Sequence, residues 1–114
     1  MSLEFLTPTE GVSFEKYLQH MYVSIRQKWI ATMPESVALG AKGVVTIEFK
    51  VERNGNLEQS SLIVKRQTGS ADLGKHSKAA ICDAAPFDHL TDVFSRSAVD
   101  IRLTFYYNTP MPSR

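Results

Sequence analysis

The sequence predicts an α+β domain: a two-layer sandwich in which a three-stranded antiparallel sheet packs against two helices, in the order helix, strand, strand, helix, strand. Three observations predict it. An apolar stripe at helical spacing runs from Phe14 to Trp29; a period-two alternation from Val45 to Val51 meets Asn54-Gly55; and a second, cleaner alternation runs from Val99 to Tyr107. At 114 residues, 43% hydrophobic and 22% charged, the chain is long enough for one modest core and too apolar for disorder. Residues 1–12 read as a lead-in, 13–108 as the domain and 109–114 as a tail; Met1-Ser2-Leu3 looks like a vector-derived start joined to an excised domain.

The first helix is expected to begin at Ser13, a residue that caps helix N-termini. Phe14, Leu18, Met21, Tyr22, Ile25 and Trp29 then share one face, and Pro34 stops the helix. Trp29 is read as a core residue. Val45, Ile47, Phe49 and Val51 alternate with Thr46, Glu48, Lys50 and Glu52, which is the pattern of a strand buried on one side. Asn54-Gly55 favours a type I′ hairpin turn, and Leu57 to Arg66 supplies the return strand, with a bulge expected near Ser60.

A second helix is expected from a cap at Ser70 to about Ala85, with Leu73, Ala80, Ile81 and Ala84 making a narrow face against the sheet. Phe87, Leu90, Val93 and Phe94 should pack the following connection back on the core. In the last strand, Val99, Ile101, Leu103, Phe105 and Tyr107 alternate with Asp100, Arg102, Thr104 and Tyr106. The hairpin makes the first two strands neighbours, so the expected spatial order is second, first, last. The last strand then forms an edge of ten residues without proline or lysine, a kind of edge that proteins avoid leaving bare. A partner is expected there: an extended peptide added as a strand, or a second copy of the chain in a homodimer. A proline at Leu103 is expected to remove one of that edge's donors.

Other chemistry finds little support. Thirteen basic against twelve acidic residues leave a charge of +1, which argues against nucleic acid, and no aromatic RNA-binding pattern is present. Cys82 lies six residues after His76, off the spacing that brings helical side chains together, and His20 and His89 lie in other segments. No CxxC or HxxxH pattern occurs, so no catalytic residue, metal ligand or cofactor is expected. Cys82 reads as a small apolar residue and Thr68-Gly69-Ser70 as a capped helix start.

With its particular residues, the arrangement resembles the TonB C-terminal domain family. The matching pieces are the Trp29 helix with Met33-Pro34, the strand and hairpin from Gly43 to Leu57, Thr68-Gly69-Ser70-Ala71-Asp72-Leu73, Ala80-Ile81-Cys82-Asp83-Ala84-Ala85-Pro86-Phe87, and Ile101 to Asn108. Asp88-His89-Leu90-Thr91-Asp92 departs from the proline-rich turn that often follows in the family. The resemblance implies a periplasmic binding domain whose full-length protein is anchored in the inner membrane. It further implies coupling to a proton-driven complex only through N-terminal regions outside this chain. The implied partner is a peptide segment of an outer-membrane transporter, and the implied template is Val99, Asp100, Ile101, Arg102, Leu103, Thr104, Phe105, Tyr106, Tyr107 and Asn108. The alternative is a TolA-like or sensor-fused envelope module of the same fold.

Overall fold

A computed structural model describes residues 1–112. Among them the elements are β1 (Ser2–Phe5), α1 (Glu15–Ala31), α2 (Glu35–Ala38), β2 (Gly43–Glu52), β3 (Leu57–Gln67), α3 (Ala71–Ala84) and β4 (Ala98–Tyr107). The α+β class and the antiparallel sheet stand as expected, but a short third helix, α2, joins the two that were expected, and the sheet has four strands, in the order β1-β4-β2-β3. The fourth strand comes from the segment read as a lead-in. It inserts beside β4, so β4 is an inner strand over part of its length and the three-strand order is corrected. Arg114 and Ser113, the end of the expected tail, lie outside the described residues.

The core forms where the two periodicities meet. Val45, Ile47, Phe49 and Val51 of β2 and Val99, Ile101, Leu103, Phe105 and Tyr107 of β4 are buried on one sheet face. They pack with Met21 and Ile25 of α1 and with Leu73, Ala80 and Ile81 of α3 in one cluster. Trp29 is partly buried against it, its ring 5.3 Å from that of Tyr107. Phe87, Leu90 and Phe94 join the cluster from the connection after α3, whereas Val93 is exposed. Helix α1 starts one residue later than Ser13 suggested, with Phe14 at the boundary.

The hairpin departs from the expected type I′ turn. Gly55 donates to the Glu52 carbonyl at 2.9 Å, Glu52 donates to the Asn56 carbonyl at 2.9 Å, and Gly55 alone within the turn takes a positive φ, of 90°. This is a type I turn closed by a left-handed glycine, which Asn-Gly also satisfies. Gly55 is required twice over, because a Cβ there would lie 2.1 Å from the Phe87 carbonyl oxygen. Next to it, the Arg53 guanidinium donates to the carbonyls of Thr91, Phe94 and Arg96 and so gathers the whole connection before β4.

Candidate functional site

Strand β4 is asymmetric in its pairing. On one side it pairs with β2 along ten residues, from Gly43↔Tyr107 to Glu52↔Ala98. On the other, β1 covers four, from Ser2↔Thr104 to Phe5↔Ile101. Leu6 donates to the Asp100 carbonyl at 2.9 Å and the Asp100 amide donates to Thr7 Oγ1 at 2.8 Å, which fixes the phase of the ladder. Alternation then directs the main-chain groups of Asp100, Arg102, Thr104 and Tyr106 toward β1, and those of Ile101, Leu103 and Phe105 toward β2. Leu103 is therefore not an edge donor, and a proline there would break the central β2–β4 ladder instead. Tyr106 lies beyond the last β1 partner, so its outward groups face no strand among the described residues.

The contacts of β1 are few and specific. Leu3 and Phe5 point to the core side, where Phe5 stacks on Phe14 with ring centroids 4.4 Å apart. Glu4, on the opposite face, meets Arg102: Nη1 of Arg102 donates to Glu4 Oε2 at 3.0 Å while its Nε donates to Glu48 Oε2 at 3.0 Å. These acceptors, Glu48 first, hold the guanidinium above its already high ordinary pKa. Beside it Lys50 pairs with Asp100 at 3.0 Å, and Thr46 with Thr104 at 3.0 Å. The outward face of β4 is thus a polar row whose charges are paired across strands.

The sheet's edge opposite β1 is β3, and it is built differently. Its register with β2 slips twice, between Thr46 and Ile47 and between Glu48 and Lys50, and Ser61 Oγ accepts the Lys50 amide at the second slip. Irregular pairing and the exposed charges of Lys65 and Arg66 are the usual defences of an edge. The β4 side has no such slip, its charges are paired across strands, and a short strand covers part of it.

Of the residues weighed for chemistry, His76 proves to be structural. It is 8% exposed and lies between α1, α3 and β4: Nε2 is 2.9 Å from the Trp29 carbonyl, to which it donates, and Nδ1 is 2.8 Å from the Tyr107 hydroxyl. Ser77 Oγ is 2.7 Å from the same hydroxyl and donates to the Leu73 carbonyl, and Ser77 is fully buried, so the three side chains tie α3 to β4 inside the core. Burial lowers the His76 pKa, outweighing its bond to Trp29, and raises that of Cys82, which lies elsewhere on α3. His20 pairs with Asp88 at 2.7 Å on the surface. No group of metal-binding side chains occurs among the described residues. An open depression of about 730 Å³ lies beside the hairpin tip, lined by Arg53, Asn54 and His89 among others; Arg53 is committed to carbonyls there, and of β4 only the first residue, Ala98, lines it.

Compared by sequence, the chain matches no family model and no curated protein. Compared by structure, it is similar to the NMR solution structure of Helicobacter pylori TonB-CTD (residues 179–285), with a TM-score of 0.66 and 20% identity, covering 90% of this chain and 88% of that one. The fold is that of a TonB C-terminal domain. The resemblance read from Gly43–Leu57 and Ile101–Asn108 therefore holds at the level of fold. Within this TonB-like frame, the ten residues from Val99 to Asn108 lie on one continuous segment, of which only the even-numbered members offer main-chain groups to the β1 side. The sequence reading missed β1, the anchoring role of Arg53 and the His76–Tyr107–Ser77 cluster. Four residues are too few to display a period, and a lone His or Arg carries no local sign of its partners.

Proposed function

We propose that this chain is the periplasmic protein-binding domain of a TonB-like energy transducer, and that it captures an extended segment of an outer-membrane transporter as a strand against β4, in the place β1 holds. It acts by binding, with no catalytic step. The docking residues are Val99 to Asn108, with Asp100, Arg102, Thr104 and Tyr106 supplying the ladder and Asn108 closing its end. By its likeness to TonB, the full-length protein is proposed to be anchored in the inner membrane; no described helix is long and apolar enough to cross a membrane.

The observation that carries this reading is the shortness of β1 against the length of β4. Ordering four residues costs about 1–2 kcal/mol each, and roughly five ladder hydrogen bonds return about 0.5–1.5 kcal/mol each. The two nearly cancel, leaving the half-buried Leu3 and Phe5 to decide the balance. A strand held so evenly exchanges with one that reaches on to Tyr106. Such binding is transient, roughly micromolar.

Titrating the isotope-labelled chain with peptides from transporter N-terminal segments tests the proposal. Amide shifts at Asp100, Arg102, Thr104 and Tyr106, together with release of Ser2 to Leu6, are expected. Shifts confined to β3 or the helices would overturn it, as would a concentration-dependent dimer formed through β4 that excludes the peptide.

A further inference from the structure

Resting on that reading, we infer that the β1-facing side of β4 selects an antiparallel strand with an acidic residue between two apolar ones, and that Arg102 is the residue that sets this specificity. The chain's own β1 exhibits the pattern that fits. Leu3 opposite Leu103 and Phe5 opposite Ile101 turn inward to the core, and Glu4 opposite Arg102 turns outward. Period-two alternation forces any strand in this register to repeat that division: positions one and three meet a greasy floor, position two meets Arg102.

The electrostatics of the position favour an acid there. Glu48 engages the Arg102 guanidinium through Nε alone, so Nη1 keeps its donors for the neighbouring strand. The adjacent Asp100 is held by Lys50 at 3.0 Å and does not compete for Arg102. An incoming carboxylate therefore meets a cation oriented by its bond to Glu48, whereas an incoming lysine meets a like charge directly across the ladder. The aromatic face of Phe14, 4.4 Å from Phe5, likewise favours a large apolar side chain at the third position. Since Arg102 and Glu4 are both substantially exposed, the discrimination is modest: the acidic strand binds about 5- to 20-fold more tightly than its lysine counterpart.

The test uses the full chain carrying Glu4→Pro, which removes a β1 ladder donor and the competing carboxylate while leaving β4 intact. Two peptides are titrated by NMR: acetyl-Ser-Leu-Glu-Phe-Leu-Thr-amide, which repeats residues 2–7, and the same peptide with Lys in place of Glu. The acidic peptide is expected to bind more tightly by the factor above, with shifts at Arg102 and Thr104. Adding Arg102→Glu should reverse the order, a readout that loss of structure alone does not produce. Equal binding of the two peptides, or no reversal, would overturn the specificity and leave strand addition standing. Failure of both peptides to perturb β4 at millimolar concentration would overturn strand addition as well. If Glu4→Pro loses its dispersed amide spectrum, Leu3→Gly, which keeps every ladder donor and removes an apolar anchor, takes its place in the same titration.

Discussion

Replacing Phe5 by alanine should loosen β1 without loosening the domain. Full burial makes a Phe→Ala change cost about 3–5 kcal/mol, but Phe5 is only half-buried, and it retains one dominant contact, the stack on Phe14 at 4.4 Å. Roughly half of the burial cost, together with the stacking contribution already within it, gives about 1.5–2.5 kcal/mol. That is a 10- to 70-fold change in the opening equilibrium of β1. Native-state hydrogen exchange resolves the two sides of β4 separately. The Arg102 and Thr104 amides, directed to β1, should lose protection by that factor. Those of Ile101, Leu103 and Phe105, directed to β2 across a ten-residue ladder, should keep theirs. Equal loss on both sides would show that β1 opens only when the whole domain unfolds, and a strand of that kind cannot yield its place to a partner. The reasoning about exchange at β4 would then fail.

Two further outcomes follow from residues whose partners the sequence did not show. Burial depresses the His76 pKa below its ordinary value of 6.5, outweighing the bond to the Trp29 carbonyl and the charge of Asp72, which both pull the other way. As pH falls through 6.5 the unfolded chain takes up a proton that the folded chain resists, so stability should fall with falling pH from about 7 downward until the depressed folded pKa is passed. Urea midpoints measured between pH 5 and 8 should show this slope, and His76→Gln should flatten it. Arg53→Ala should cost about 1.5–3 kcal/mol, because the charged donor serving the Thr91, Phe94 and Arg96 carbonyls is lost. Thermal melts together with amide exchange across residues 86–97 would register it, with the connection loosening more than the sheet.

What was legible in the sequence was what repeats. Phe14 to Trp29 and Val99 to Tyr107 each carry enough periods to declare both the element and its buried face, and the buried residues found on β2, β4 and α3 follow those faces closely. The turn at Asn54-Gly55 was legible as a turn but not as a type, because a left-handed glycine closing a type I turn asks for the same two residues as a type I′ turn. Whether β4 lies at an edge is a different kind of property. It depends on Ser2–Phe5, a segment almost a hundred residues away whose four positions show no pattern of their own. Yet the composition of β4 carried information that the assignment of its neighbours lacked. A ten-residue strand rich in aromatic and β-branched residues, without the register slips of β3 and without proline or lysine, is one that proteins avoid leaving bare. The chain's own β1 meets that demand over four residues and leaves Tyr106 beyond its reach, and it is this partial cover on which the proposed exchange with a longer strand rests.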